Sequence, residues 1–93
     1  MRDTDWEILY ELYRHPNLTR VAGLLYMTQP SLTKRLRTME NEFSVRIVNR
    51  TSKGLEFTAE GEYLAERAKQ YMKFIQETRE GLRRFKEEGE EII

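Results

Sequence analysis

The chain opens with apolar residues spaced three and four apart, which is the pattern of an amphipathic helix. These residues are Trp6, Leu9, Tyr10 and Tyr13. Thr4 and Glu7 stand in the order of a capping box and predict where the helix begins,. Pro16 predicts its end, because the residue before a proline avoids helical geometry. We expect the aromatic side chains to serve the core or a subunit contact.

A short second helix and a third helix are predicted next. Asn17 or Thr19 caps the second, and its inward positions are Leu18, Val21, Ala22 and Leu25. Thr28 caps the third, and Pro30 fits its first turn, where a missing N–H group costs nothing,. The inward positions of the third helix are Leu32, Leu36, Met39 and Phe43. A short helix, a tight turn and a second helix with a polar outer face are typical of a helix-turn-helix unit.

The period changes between Ser44 and Phe57, where a β-hairpin is predicted. The β-branched run at residues 45–48 indicates a short strand,. Residues 51–54 have turn chemistry, with Gly54 supplying a positive φ, and residues 55–57 alternate as a returning strand. Thr58 then caps a long final helix,.

The final helix carries apolar or small residues at alternating spacings of four and three for about four heptads,. They are Leu64, Ala68, Tyr71, Ile75, Thr78, Leu82, Phe85, Gly89 and Ile92. A helix over residues 59–88 would be about 45 Å long. The rest of so small a domain cannot pack along its whole length. We therefore predict dimerisation through Leu64, Ala68, Tyr71, Ile75, Leu82 and Phe85. Thr78 and the two small residues, Ala68 and Gly89, weaken the seam and predict a short or imperfect coiled coil.

Size and composition exclude several classes of protein. Ninety-three residues leave room for one small domain,. The chain has no cysteine and no apolar run of 18 residues, so we expect no disulfide, no thiolate metal site and no membrane span, and a cytoplasmic location,. The single histidine, His15, has no partner at metal-ligand spacing. Without a nucleophile motif or a phosphate-binding loop, we predict no enzyme activity, no metal and no cofactor.

The net charge of zero conceals a basic middle segment. Residues 17–58 carry seven basic and three acidic side chains, whereas the segments on either side each have a net charge of −2. A local basic region is what phosphate binding requires, whatever the total charge.

The outer face of the third helix and the turn of the hairpin are the candidate nucleic-acid contacts. The helix offers Gln29, Ser31, Thr33, Lys34 and Arg37, and the hairpin offers Arg50 and Lys53. Glutamine suits bidentate bonding to adenine, and the basic residues suit phosphates or bases. Arg50 has a second interpretation, in which it braces the hairpin against Glu40 or Glu42. Arg35 lies about 100° around the helix from Lys34, and its role stays open.

The segments NLTRVAGLLYMTQPSLTKRLRTMENEF and VRIVNRTSKGLEFTAEG resemble the N-terminal DNA-binding domain of LysR-type transcriptional regulators. The matching positions are Leu18, Ala22, Leu25, Thr28–Pro30, Leu32–Thr33, Met39–Glu40, Arg50 and Phe57–Gly61. Val21, Ser44 and the pair Ile47–Val48 depart from the pattern of the family, and none of them lies on the proposed DNA face.

The resemblance implies a mainly α fold. A winged helix-turn-helix of three helices and a β-hairpin wing would occupy residues 1–58, and a linker and dimerisation helix would occupy residues 59–93. Two recognition helices, at about residues 28–43, would enter successive major grooves of an imperfect inverted repeat near a promoter. Gln29, Pro30, Thr33 and Lys34 would face the groove, with Thr19 and Arg20 near phosphates. The wing, at about residues 49–55, would contact the backbone or the minor groove, mainly through Lys53.

The family also implies an effector-binding domain after the long helix. The chain ends where that domain would begin, so we expect any inducer to bind outside this sequence.

Two rival interpretations remain open. One is a protein-interaction module built on the same fold. The other is a winged-helix regulator of another family, such as a molybdate-responsive type.

Overall fold

The computed structural model describes residues 1–87. The elements are α1 (Asp3–Arg14), α2 (Leu18–Leu24), α3 (Gln29–Phe43), β1 (Val48–Thr51), β2 (Gly54–Phe57) and α4 (Ala59–Glu87). This order confirms the predicted winged helix-turn-helix with a long final helix. The predicted seam positions Gly89 and Ile92 lie outside the described residues.

The start of α1 differs from the prediction at Thr4. The helix begins at Asp3, because Asp5 and not Glu7 accepts the hydrogen bond from the backbone N–H of Arg2, at 3.0 Å. A carboxylate two residues earlier therefore takes the capping role.

The other three helices begin where the sequence predicts. The Asn17 side chain accepts from the N–H of Arg20 at 3.0 Å, which decides between Asn17 and Thr19. Thr28 caps α3 by accepting from the N–H of Ser31 at 3.3 Å. For α4, the Thr58 hydroxyl accepts from the N–H of Gly61 at 2.9 Å,.

The first strand begins later than predicted. Val45–Ile47 is not a strand, because both backbone groups of Ile47 have partners outside the hairpin. Its N–H donates to the Glu40 carboxylate at 2.8 Å, and its carbonyl accepts from the N–H of Thr58 at 3.0 Å. The hairpin pairs Val48 with Phe57 and Thr51 with Gly54, and Gly54 has the predicted positive φ of 116°.

The core is a cluster of aliphatic side chains from all four helices and the segment before β1. Its buried members are Ile8, Leu9, Leu12, Leu18, Val21, Ala22, Leu32, Leu36, Met39, Ile47 and Ala68. The prediction that Phe43 faces this core is wrong. Phe43 is the last residue of α3 and is exposed beside Val45 and Tyr63.

A buried ion pair joins α1 to α3. Asp5 is fully buried and accepts two hydrogen bonds from the Arg35 guanidinium, at 3.0 and 2.6 Å. Burial alone would raise the pKa of Asp5, but the bonds from Arg35 and from the Arg2 N–H, with nearby positive charge, outweigh burial and lower the pKa,. The open question about Arg35 is thereby answered, since its guanidinium pairs with Asp5.

The first half of α4 packs closely against the rest of the domain. Ala65 and Ala68 are buried, and Leu64 packs against the core. The Tyr71 ring lies 6.0 Å from that of Trp6, and its hydroxyl donates to Asp3 at 2.8 Å. Ala68 therefore has no surface to offer a second chain, which corrects its assignment to the dimer seam.

Gly61 lies where α4 comes very close to the segment before β1. A Cβ at this position would overlap the carbonyl oxygen of Ile47 and lie 2.9 Å from its carbonyl carbon. Only glycine fits there without displacing backbone. Within residues 1–87, no helix combines the length and the apolar character needed to cross a membrane.

Candidate nucleic-acid interface

The exposed start of α3 is held in place by two hydroxyl groups. The Thr28 hydroxyl donates to the Ser31 side chain at 2.8 Å while it accepts the capping bond. The Thr19 hydroxyl, at the start of α2, donates to the Gln29 side-chain oxygen at 3.1 Å. The Gln29 carbonyl keeps a second lone pair, and its amide hydrogens have no partner within residues 1–87, so the side chain can still bond in bidentate fashion,.

The outer side of α3 and strand β1 enclose a shallow concavity of about 440 Å³. Its lining residues, which we call the reading face, are Gln29, Pro30, Thr33, Lys34, Arg37 and Arg50. The structure thus brings together six of the ten residues that the sequence singles out as DNA contacts. The hairpin lies beside α3, so that Arg50 joins residues 13 or more positions away in the chain.

Arg50 does not brace the hairpin in the way the second interpretation predicts. The Glu40 carboxylate accepts from the Ile47 N–H, and Glu42 pairs with the Met1 amino group at 2.7 Å. Within residues 1–87, Arg50 forms no ion pair, and its side chain is exposed in β1. Arg50 is therefore free to bind an external anion.

The other four predicted contacts lie outside the concavity. Lys53 is exposed in the hairpin turn, where its backbone N–H donates to Thr51 at 3.2 Å. Thr19 and Arg20 are exposed in the first turn of α2. Ser31 is exposed on α3, with its hydroxyl engaged by Thr28.

Three polar residues near the site were missed by the sequence analysis. Arg46, Asn41 and Asn49 line a second concavity, of about 480 Å³, between the later part of α3 and the hairpin. Arg46 donates to the Asn49 side chain at 3.2 Å. Asn41 follows Arg37 by four residues and so was detectable as a member of the same helix face. Arg46 gave no such signal, because it sits in a segment predicted to be a strand.

The reading face is positively charged and its cations are unpaired. Lys34, Arg37 and Arg50 line it, no carboxylate does so among the described residues, and none of the three takes part in the ion pairs of residues 1–87. Free cationic donors beside a helix with exposed amide and hydroxyl groups suit a polyanion that also presents base edges. In the part of the chain that the structure describes, no three His, Asp or Glu residues come together as a metal site.

Residues 4–62 match a family model that is described as the bacterial regulatory helix-turn-helix protein of the lysR family. An uncharacterized HTH-type transcriptional regulator of Bacillus subtilis, YraN, is 35% identical over 80 residues, which cover 86% of this chain and 28% of that protein. The DNA-binding transcriptional dual regulator OxyR of Escherichia coli is 30% identical over 86% of this chain and 26% of its own length. The chain therefore spans only about a quarter of the length of these relatives.

Solved structures share the fold. The BenM DBD in complex with catB site 1 DNA superimposes with a TM-score of 0.84 at 19% identity, over 91% of this chain and 96% of that chain. The CbnR DBD in complex with DNA gives a TM-score of 0.79 at 22% identity, over 89% and 95% of the two chains. These superpositions confirm the order of three helices, hairpin and long helix.

Proposed function

We propose, because this chain belongs to the lysR family of bacterial regulatory helix-turn-helix proteins, that it binds double-stranded DNA sequence-specifically as the DNA-reading part of a transcriptional regulator. The observation that carries the proposal is the convergence of Gln29, Lys34, Arg37 and Arg50 on one concavity without a carboxylate among the described lining residues. The activity is binding and not catalysis, and the protein works in the cytoplasm.

Binding in this arrangement has two components. Lys34, Arg37, Arg50 and, at the hairpin tip, Lys53 contact phosphates and fix the position of the domain on the duplex. The start of α3 enters the major groove, where Gln29 bonds to a base edge, with adenine the best match. The hydrogen bond from Thr19 orients Gln29 before DNA arrives, so less side-chain freedom is lost on binding,.

The regulator acts as a homodimer through the second half of α4. In the first half, Ala68 is buried in its own domain and the Tyr71 hydroxyl donates to Asp3, while Leu64 and Tyr71 are only partly buried and stay predicted contacts. Beyond Tyr71, the helix exposes large apolar side chains at Phe74, Leu82 and Phe85. These residues, together with the half-buried Ile75, form the subunit contact and present two α3 helices to an imperfect inverted repeat near a promoter,.

The test is a selection of bound duplexes from a random pool, followed by titration at several salt concentrations. The selected duplex should bind more tightly than a scrambled duplex of the same composition. The logarithm of the affinity should fall linearly with the logarithm of the salt concentration. Equal affinity for both duplexes would leave only non-specific binding, and no measurable duplex binding at physiological salt would favour the rival protein-interaction module.

The dimer is tested separately by sedimentation. Phe74→Ala and Leu82→Ala should shift the protein towards the monomer, whereas Lys73→Ala on the same helix should not. A wild-type protein that sediments as a monomer at tens of micromolar would contradict the proposed α4 contact.

A further inference from the structure

Tyr26, in the turn between α2 and α3, combines two unfavourable features. Its backbone lies in the left-handed region, with φ of 55°, and 97% of its side chain is exposed. The backbone conformation is fixed by the end of α2, where the N–H of Tyr26 donates to Gly23 at 3.3 Å and the N–H of Met27 donates to Ala22 at 2.8 Å. Glycine is the usual residue at such a helix end, because it has no Cβ to strain.

The exposed Tyr26 side chain does not stabilise the described part of the fold. An aromatic ring stabilises a protein by leaving water, and this ring stays in water. Its hydroxyl forms no hydrogen bond with any described residue. Strain at a residue that stabilises nothing locally is a reason to look for a role in binding.

The position of Tyr26 indicates what it binds. It precedes the Thr28 cap by two residues and Gln29 by three. Its Cα therefore lies at most about 10 Å from that of Gln29, the first residue of the reading face,. It therefore stands at the end of α3 that enters the major groove in the proposed function. A phenol beside a groove can donate its O–H to a phosphate and lay its ring against a deoxyribose.

We propose that Tyr26 is a DNA-backbone contact at the edge of the major groove, which bonds one phosphate through its hydroxyl and one sugar through its ring. This inference rests on the proposed function, since it requires that α3 read duplex DNA. Tyrosine is uncharged, so its contact strengthens binding without releasing counterions and leaves the salt dependence unchanged.

The chain contains a matched control for the backbone effect. Ser44, which ends α3, is the other non-glycine residue with a positive φ among the described residues, at 53°. Its helix end is closed in the same way, since the N–H of Val45 donates to Glu40 at 3.1 Å. Ser44 lies at the opposite end of α3 from Gln29, so glycine at this position relieves the same strain away from the reading face.

The experiment compares Tyr26→Gly, Tyr26→Phe and Ser44→Gly for melting temperature and for affinity to the selected duplex at two salt concentrations. Both glycine variants should melt at or above the wild-type temperature. Tyr26→Phe, which loses the hydrogen bond, should weaken duplex binding by about threefold, and Tyr26→Gly, which also loses the ring contact, by about tenfold. Ser44→Gly should bind like the wild type, and no variant should change the salt slope.

The two proposals fail in different ways. If the wild type binds the duplex and both Tyr26 variants match it, the Tyr26 contact is refuted and the proposed function stands. A lower affinity for Tyr26→Gly with wild-type affinity for Tyr26→Phe refutes the phosphate bond, and an equal loss in Ser44→Gly assigns the effect to backbone freedom. A wild type that binds no duplex overturns both proposals.

Discussion

The inner side of the domain, where α1 meets α3 and α4, and the reading face use polar residues in opposite ways. On the inner side, Asp5 is paired with Arg35, and Tyr71 with Asp3. On the reading face, Lys34, Arg37 and Arg50 have no ionic partner within residues 1–87. Arg35 and Arg37 are two residues apart on one helix and fall on different sides of this division.

The difference shows that charge type alone does not reveal a role. A cation whose geometry is completed by a buried carboxylate belongs to the stability of the fold, whereas a cation left in solvent beside an exposed helix start is available to a ligand. Substitutions on the inner side should therefore change stability, and substitutions on the reading face should change affinity. The following predictions test that separation, from the largest expected effect to the smallest.

Gly61→Ala should have the largest effect on stability. The new Cβ overlaps the Ile47 carbonyl, so α4 must move away from the segment before β1, at a cost of about 3 kcal/mol or more,. Gly81→Ala on the same helix is the matched control, because a Cβ at Gly81 meets no described atom within 4 Å. The control should be neutral or stabilising by up to about 1 kcal/mol. Urea unfolding of both variants checks this, and equal stability would mean that α4 does not pack as described.

Arg35→Met should cost about 2–3 kcal/mol at neutral pH, because it leaves the buried Asp5 carboxylate without its cation,. The guanidinium is partly exposed, which keeps the cost below that of a fully buried pair. Lys34→Met, one residue earlier and exposed, is the control and should change stability by less than about 0.5 kcal/mol,.

The same pair predicts a dependence on pH. The pKa of Asp5 is lowered in the folded protein from an ordinary value of 3.8, so its contribution to stability is present above that value,. The contribution should be lost as the pH falls through the lowered pKa of the folded state. Unfolding measured between pH 7 and pH 2 should show a smaller loss for Arg35→Met than for the wild type, and parallel curves would contradict the ion pair.

Lys34→Ala and Lys53→Ala should each weaken duplex binding and reduce the salt slope by about one unit, because each removes one phosphate contact. Neither should change the melting temperature appreciably. Lys69→Ala, at an exposed position on α4, should leave both affinity and slope unchanged. Unaltered salt slopes in both test variants would remove these two lysines from the interface.

Thr19→Ala should give the smallest effect, a loss of affinity of about two- to threefold with unchanged stability and salt slope. The substitution removes the hydrogen bond that orients Gln29 and leaves the Gln29 side chain itself in place. Thr4→Ala, at an exposed position in α1 away from the reading face, is the control for loss of a surface threonine. Full affinity in Thr19→Ala would show that Gln29 needs no orientation.

Local signals in the sequence predict most of the fold. The caps at Asn17, Thr28 and Thr58 each bond the residue three positions later, so a short stretch of sequence is enough to predict them,. The predictions that the strand begins at residue 45 and that Phe43 faces inward were wrong, because both depend on contacts between distant residues. Ile47 takes its backbone partners from Glu40 and Thr58, which are seven and eleven residues away. The periodicity of a sequence carries no information about such contacts.

The candidate site shows the same limit. Gln29, Thr33, Lys34 and Arg37 share a helix face and were predicted together from their spacing. The roles of Arg35 and Arg50 stayed open because each depends on a tertiary neighbour. Arg35 meets Asp5, 30 residues earlier, and Arg50 joins α3 only when the hairpin folds against it.

The attachment of α1 to both neighbours has a geometric consequence for operator choice. α1 contacts α4 through Asp3 and Trp6 and contacts α3 through Asp5, so any movement of the reading helix relative to the first half of α4 would have to break these contacts. In a dimer joined by the second halves of α4, the crossing angle of the two α4 helices then sets the distance between the two reading helices. Operators whose half-sites do not match that span have to bend, and the energy of bending DNA becomes part of the selectivity.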